Sequence, residues 1–254
     1  ELQEIPHHFI DIKNPDEYYS AGMFGSEANL VVETLLKSNT LPIIAGGSGL
    51  YVQALTDGFF EEENLLKESN PIRDELQKRL EDQGRDALYE ELLKIDPESA
   101  QLYNDKNPRR ILRALEYFAT TNKKFSDSFK SPQSQRSFAT HFFGILPERS
   151  ELYTRINERC VKMWNDGLLK ETEDVLKMGF SSELNALNTV GYKEAISFLK
   201  GELTEADALA KMQQNTRRYA KRQLTWFRRD QRITWLNGSP GEMAEIIFKS
   251  ISLP

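Results

Sequence analysis

Four small residues, Gly46-Gly47-Ser48-Gly49, lie between an apolar run and a helical pattern, and they are a first candidate for chemistry. Glycines allow backbone N–H groups to converge on an anion, and the N-terminus of a following helix adds partial positive charge. A phosphate or diphosphate would fit such a segment. A tight turn without any ligand fits it equally well, because the residues follow neither the Walker A pattern nor the dinucleotide-binding pattern.

Positive charge is concentrated between positions 211 and 232. This stretch holds eight Lys and Arg residues and one acid, a local charge of +7 in a chain whose net charge is −6. Arg218 and Arg222 are four residues apart, as are Arg217 and Lys221, so a helix would align them in a stripe. The net charge argues against a nucleic-acid partner, but the stripe and its interleaved aromatic residues favour one. A solvated helix face is the alternative.

A second group of cations follows Asn107-Pro108, which predicts the start of a helix with asparagine as its cap. Arg109, Arg110 and Arg113 then occupy the first turns, where positive charge opposes the helix dipole. An anionic partner would explain this placement. Pairing with the acidic residues just upstream would explain it as well.

Two further signals are weaker when taken from the residues alone. Arg155 and Arg159 are four residues apart on a predicted helix, and the spacing favours salt bridges to the nearby Glu151 and Glu158. The segment Val190-Gly191-Tyr192-Lys193 places a glycine and an amphipathic tyrosine before a helical pattern, which indicates little by itself.

The elements that would position these residues can be predicted from apolar spacing and turn signals. Helix, strand, glycine-rich turn and helix follow one another before position 60, which is typical of an α/β fold. Residues 71–118 read as helices without strand signals, which predicts a helical insertion, and residues 120–135 read as a mobile linker. Strands are predicted at 9–12, 41–45, 141–145 and 233–236, and other helices at 20–38, 50–55, 150–178, 205–227 and 242–251.

Composition excludes several classes of protein. The chain has 254 residues, enough to bury a core without a disulfide or metal, and its one cysteine excludes a disulfide scaffold or a multi-cysteine zinc site. Three histidines leave little for a histidine-rich metal site. No signal peptide and no apolar run of about 18 residues is visible, so we expect a cytoplasmic protein without membrane contact.

Together these segments resemble one family, the tRNA dimethylallyltransferases, also called tRNA isopentenyltransferases. The matching segments occur in the order of the family and cover essentially the whole chain. The last of them is the most specific. They are residues 6–12, 19–21, 42–51, 107–116, 190–193 and 218–228.

The resemblance implies a fold and an activity. The expected fold is α/β, a P-loop-NTPase-like parallel sheet core (residues 1–60 and 138–254) with an all-helical insertion domain (residues 61–137) that grips the anticodon stem. The family transfers a dimethylallyl group from dimethylallyl diphosphate to N6 of the adenine 3′-adjacent to the tRNA anticodon, with Mg²⁺ as cofactor. We therefore expect the tRNA anticodon stem-loop and dimethylallyl diphosphate as partners, and a monomer.

The resemblance also assigns site residues by position. Arg159 matches an arginine that contacts the diphosphate and is the expected catalytic residue. The expected wall of the substrate tunnel consists of Gly46, Gly47, Ser48, Gly49 and Tyr51. The expected tRNA contacts are Arg73, Arg109, Arg110, Ile111, Leu112, Arg113, Val190, Gly191, Tyr192, Lys193, Arg217, Arg218, Lys221, Arg222, Gln223, Thr225, Trp226 and Arg228.

The chain departs from the family pattern at its N-terminal end. Members of the family begin with a P-loop that holds the diphosphate and Mg²⁺, followed by a strand that ends in the Asp expected as general base, and neither can be assigned here. We therefore assign no metal ligand in this chain and expect it to be inactive by itself. Three alternatives stay open: an adenylate isopentenyltransferase acting on free nucleotide, a P-loop small-molecule kinase, and an RNA-binding fragment without activity.

Overall fold

A computed structural model describes residues 5–58, 71–128 and 137–251. The chain forms two compact units. The first unit contains residues 1–19, 45–49 and 139–254, and the second contains residues 20–44 and 50–138.

The first unit combines a pair of parallel strands with a set of helices. Strand β1 (Phe142–Ile145) pairs with β2 (Ile233–Leu236), with Phe142 opposite Ile233. Parallel neighbours require a long crossover, which here consists of helices. They are α7 (Arg149–Met163), a π-helical turn (Trp164–Leu168), α8 (Leu169–Lys177), α9 (Tyr192–Leu199) and α10 (Glu205–Phe227), with α11 (Pro240–Ile251) following β2.

The apolar core of the first unit lies where α7, α9 and α10 meet. Met212 and Ala208 of α10 are buried against Ile156 and Cys160 of α7 and against Ala195 of α9. The indole N–H of Trp164, in the π-helical turn, donates to the Glu205 carboxylate at 2.9 Å and so ties this turn to the start of α10. These contacts hold α10 along its first half.

The second unit is helical. It contains α1 (Ala21–Lys37), most of α2 (Gly49–Thr56), α3 (Pro71–Ile95), α4 (Pro97–Leu102), α5 (Pro108–Thr121) and the single turn α6 (Phe125–Ser128). Gly25 allows α1 to approach α2, since a Cβ at Gly25 would lie 2.7 Å from the Ala54 carbonyl oxygen. Helix α3 is interrupted at Gly84, whose φ is +79°. Leu88 and Leu92 of α3 are buried against Ile111 and Leu115 of α5.

Most of the predicted helices are confirmed to within a few residues. Asn107 caps α5, as the sequence pattern predicts, and the Ser20 hydroxyl caps α1. The predicted helix at 150–178 is divided into α7, the π-helical turn and α8, because Gly167 adopts a φ of +116° inside it. Gly179 follows α8 with a φ of +94°, as expected of a glycine just after a helix.

Two predicted strands are wrong. Phe9 and Asp11 have φ values of +65° and +52°, which exclude an extended strand there. Residues 41–45 form no strand either, and Ile43 is 84% exposed. A parallel strand needs a neighbour that satisfies its backbone groups, and no strand among the described residues pairs with this run. The strands predicted at 141–145 and 233–236 are confirmed.

The compact units do not coincide with the predicted domain boundaries. Helix α1 and residues 50–58 group with the helical stretch rather than with the strands, although they were expected in a core of residues 1–60. The change of unit near residue 139 lies close to the predicted boundary at 138. Parts of the predicted insertion and linker, residues 59–70 and 129–136, lie outside the described residues.

A buried carboxylate connects three short segments of the second unit. Asp96 caps α4 and is only 1% exposed. It accepts hydrogen bonds from the N–H of Ser99 at 3.2 Å, the hydroxyl of Ser99 at 2.6 Å and the N–H of Ser126 at 2.8 Å. Burial raises the pKa of the Asp96 carboxyl, but the hydrogen bonds outweigh burial and hold this pKa below its usual value.

We expect Asp96→Asn to lower the free energy of unfolding by about 1–3 kcal/mol, because an amide NH₂ group would face backbone donors in place of a carboxylate oxygen. Urea denaturation measures this, with Asp82→Asn on the exposed surface of α3 as the control. Since the pKa is lower in the folded state, the stabilisation is complete above the unfolded pKa of about 4 and is lost as the pH falls through the folded pKa. Equal losses in the two variants would contradict this role.

Candidate functional site

The second half of α10 presents a row of exposed cations. Arg218, Lys221, Arg222 and Arg228 are exposed, and none of them forms an ion pair with a carboxylate of the described residues. Arg232 differs, since it pairs with Asp230 at 2.7 Å. Placing like charges close together without acids is unfavourable, and an anionic partner would remove that cost. The predicted stripe therefore exists as a surface of uncompensated positive charge.

Arg217 contacts α7, unlike the exposed cations near it on α10. Its guanidinium donates to the side-chain oxygen of Asn157 on α7 at 2.5 Å and lies 5.9 Å from the centre of the Tyr153 ring. Gln213 donates to the backbone carbonyl of Asn157 at 3.4 Å. These contacts fix the register of α10 against α7, and Arg217 is half-buried there rather than free on the surface.

Arg159, the expected diphosphate contact, lies on α7 two residues after Asn157. It is exposed and has no hydrogen-bond or ion-pair partner within the described part of the chain. Arg155, one turn earlier, pairs with Glu151 at 3.7 Å. The salt-bridge interpretation therefore holds for Arg155 and fails for Arg159, whose charge is available for a ligand.

The segment before α9 is held by one buried carboxylate. Glu194 is 3% exposed; it accepts from the N–H of Gly191 at 2.8 Å and from the Asn215 side-chain amide on α10 at 2.7 Å. Gly191 has a φ of +104°, which favours glycine. Glu194 thus joins the segment 190–193 to α10, and it leaves Lys193 exposed at the start of α9.

Tyr192 is tied to α8. Its hydroxyl donates a short hydrogen bond to the Glu171 carboxylate. Burial and this carboxylate raise the pKa of Tyr192 to about 12, so the phenol stays protonated at any physiological pH. Tyr192 therefore offers a neutral aromatic ring rather than a phenolate.

The glycine segment contacts the end of α10. Gln223 donates from its side-chain amide to the carbonyl oxygen of Gly47 at 2.8 Å, and the Trp226 indole lies against Gly49. Gly46 and Ser48 are exposed. Tyr51, also predicted to line the substrate tunnel, belongs to the second unit, where its ring stacks on Phe24 with centroids 4.9 Å apart.

The arginines at the start of α5 have different surroundings. Arg109 is exposed and has no ion-pair partner among the residues the structure describes, whereas Arg110 lies 3.9 Å from Asp105. The buried carboxylate of Glu116 lies 3.0 Å from Arg73 and 3.9 Å from Arg113. The expected pairing with an upstream acid is thus confirmed for Arg110.

Some of the predicted tRNA contacts are buried. Ile111 is 1% exposed, and its side chain lies in the core of the second unit. Leu112 packs partly against the same core, and Val190 against the core of the first unit. Gly191 is buried as well. These residues position the exposed cations near them. Matching a motif by position alone does not reveal this role.

Sequence reasoning missed Asn157, Glu194 and Asn215. A signal was available for Glu194. It lies three residues after Gly191, the residue before α9, and an acid at that position forms a capping pattern. For Asn157 and Asn215 there was none, because their partners lie on other helices. Within the described residues no group of three or more His, Cys, Asp or Glu side chains is placed to hold a metal ion. No helix in that part of the chain is long and apolar enough to cross a membrane.

Comparison with known proteins identifies the family. A family model described as IPP transferase matches residues 1–230. The chain is 37% identical over 255 residues to a tRNA dimethylallyltransferase of Carboxydothermus hydrogenoformans, an alignment covering 99% of this chain and 80% of that protein. A tRNA dimethylallyltransferase of Geobacillus thermodenitrificans is also 37% identical, with 99% and 80% covered.

Two solved structures are similar throughout the chain. A tRNA delta(2)-isopentenylpyrophosphate transferase from Staphylococcus epidermidis is 34% identical with a TM-score of 0.66, covering 98% of this chain and 81% of that one. The full-length tRNA isopentenylpyrophosphate transferase from Bacillus halodurans is 31% identical with a TM-score of 0.67, covering 99% and 78%.

Fold and sequence together define the class as an α/β transferase of P-loop type, as the resemblance predicts. The chain belongs to the IPP transferase family.

The Glu194 contacts lead to a prediction with a conservative variant. Glu194→Ala removes the acceptor of two donors and should lower the free energy of unfolding by about 1–3 kcal/mol. Glu194→Gln should cost less, because its oxygen can accept from Gly191 while the Asn215 amide turns to accept from its NH₂ group. Thermal or urea denaturation of both variants measures the difference, and equal destabilisation would contradict the hydrogen-bond account.

Proposed function

We propose that the protein is a tRNA dimethylallyltransferase. It transfers the dimethylallyl group of dimethylallyl diphosphate to N6 of the adenine 3′-adjacent to the anticodon. Family membership supports the reaction, since the similar proteins carry this name. The observation that carries the choice of RNA over a free nucleotide is the exposed row of α10 cations, which have no carboxylate partner among the described residues. A nucleotide needs only a few cations. We also propose that the protein acts as a monomer in the cytoplasm.

In the proposed reaction N6 of the adenine attacks C1 of the allyl diphosphate. The new N–C bond forms as the C–O bond breaks, the diphosphate leaves with the bonding electrons, and N6 loses a proton. The adenine must first leave the stack of the anticodon loop, which costs less than extrusion from a duplex. The free charge of Arg159 suits the negative charge that develops on the leaving diphosphate.

Several groups of residues support the binding of the anticodon stem-loop. On the first unit they are Lys193 and the cations of α10, and on the second unit Arg109 and Arg110. Arg73 and Arg113 share the buried Glu116, which leaves one net positive charge on the three side chains. The exposed Gly46 and Ser48 are proposed to line the donor site.

We propose Mg²⁺ only as an ion that is bound by the diphosphate. The described residues offer no cluster of ligands for a protein-held ion. The diphosphate oxygens themselves are the hard ligands that Mg²⁺ prefers, and no step above depends on a metal held by this chain.

Binding at several salt concentrations tests the choice of RNA. We expect the affinity for an anticodon stem-loop to fall steeply with salt, and AMP to bind weakly. Arg218→Gln should reduce the slope of log K against log salt by about 0.7–0.9, the loss of one phosphate contact. Lys249→Gln on α11, which pairs with Glu245, is the charge-matched control and should leave the slope unchanged. Tighter binding of AMP than of the stem-loop would favour an adenylate isopentenyltransferase.

Arg159→Ala tests the chemical step. We expect the single-turnover transfer of a radiolabelled dimethylallyl group to fall about a hundredfold in this variant, since one lost contact to a developing oxyanion costs about 2.7–4 kcal/mol. Arg155→Ala, one turn away and paired with Glu151, is the control. An unchanged rate in Arg159→Ala would refute its role.

A further inference from the structure

We propose that Gln223 and Trp226 are positioning residues that hold the glycine segment 46–49 in place, rather than tRNA contacts. Both lie in the stretch that the resemblance assigns to tRNA, between the cations of α10. Their side chains contact the glycine segment instead. The inference rests on the proposed function in one respect, the assignment of this segment to the donor site.

Gln223 acts through a hydrogen bond. Its side-chain amide donates to the Gly47 carbonyl at 2.8 Å, across 176 positions of sequence. The approach is so close that a Cβ at Gly47 would lie 2.0 Å from the Gln223 amide nitrogen. Any larger residue at position 47 would therefore push the amide away and break the bond. Gln223 is half-buried, while Arg218, Lys221 and Arg222 on the same helix are exposed.

Trp226 acts through packing. A Cβ at Gly49 would lie 2.1 Å from two atoms of the indole, Cδ1 and Nε1. A rigid ring cannot yield as a flexible side chain can, so only glycine fits beside it. Trp226 lies three residues after Gln223, on the same face of α10, which allows the two side chains to grip neighbouring residues of one segment. The indole is still 41% exposed.

The glycines themselves support this account. None of Gly46, Gly47 and Gly49 has a positive φ, so left-handed backbone does not explain their identity. Close approach explains Gly47 and Gly49, whereas a Cβ at Gly46 would have no atom of the described residues within 4 Å apart from its chain neighbours. Gly46 thus faces open space beside a segment whose other side is fixed by α10. The end of α10 accordingly sets the position of the wall that the donor would meet.

The mobility of the segment can be measured with a spin label. The single native cysteine, Cys160, is buried, so Ser48→Cys at an exposed position can be labelled selectively with a nitroxide. We expect Gln223→Met, which keeps the length of the side chain but removes the donor, to increase the mobility of the label. Gln214→Met, on the exposed face of α10, is the control. Gly49→Ala should also increase mobility, and Gly46→Ala, which adds the same methyl group in open space, should not.

Ligand affinities without the label then separate positioning from tRNA contact. We expect Gln223→Met to weaken binding of dimethylallyl S-thiolodiphosphate, a non-transferable donor analogue, by about tenfold, since small displacements of a binding wall are costly. Its affinity for the anticodon stem-loop should stay within about twofold. Loss of stem-loop affinity with unchanged label mobility would overturn the proposal and return Gln223 to tRNA contact. Unchanged label mobility in Gln223→Met would overturn it as well.

A separate variant tests the proposed function of the segment. Gly46→Val adds a side chain whose Cβ would lie more than 4 Å from Gln223 and Trp226, so it should weaken binding of the analogue while label mobility stays unchanged. If Gly46→Val has no effect on the analogue, the segment does not line the donor site, and the proposed function fails there. The mobility changes caused by Gln223→Met would then still report the contact with α10, so the two failures are distinguishable.

Discussion

The packing of α10 against α7 and α9 is the constraint on which the first unit depends. Ala208 and Met212 are buried in this contact, and the Asn157–Arg217 and Glu194–Asn215 hydrogen bonds fix the register on either side. Burial supplies most of the stabilisation, and the hydrogen bonds satisfy polar groups that would otherwise be costly there. A buried carboxylate such as Glu194 is tolerated because donors surround it. With α10 fixed in this way, each residue along its second half has a defined place on one face of the helix.

Two faces of α10 therefore have different roles. The exposed face holds cations that no carboxylate of the described residues neutralises, and the other holds Gln223 and Trp226 against the glycine segment. Exposed charges act over about a Debye length and attract an anion without close fit. A hydrogen bond and a packed indole act only on contact and define position. One rigid helix can therefore combine attraction of a polyanion with the placement of a small-molecule site.

The arginines of the second unit have different surroundings from the cations of α10. Arg73 and Arg113 both approach Glu116, a carboxylate that is buried between helices α3 and α5. Charge sharing of this kind orients guanidinium groups and reduces their net charge. Arg109 keeps its full charge at the first turn of α5. A count of cations in the motif would treat all of these arginines as equal contributors to anion binding. The charges of Arg73 and Arg113 are instead shared with Glu116.

The sequence by itself determined the helices, their caps, the two observed strands, the family and the concentration of charge near the end of α10. These depend on local patterns: apolar spacing, capping residues and glycine after a helix end. It misled at residues 9–12 and 41–45, since an apolar run becomes a strand only where a neighbour pairs with it. It also did not reveal that Ile111 is buried, because that burial depends on α3. Only the tertiary structure decided that Arg155 is paired while Arg159 has no partner among the described residues. It alone also decided that Gln223 and Trp226 contact the glycine segment. Such contacts join residues far apart in the chain, and no local pattern records which side chains folding brings together.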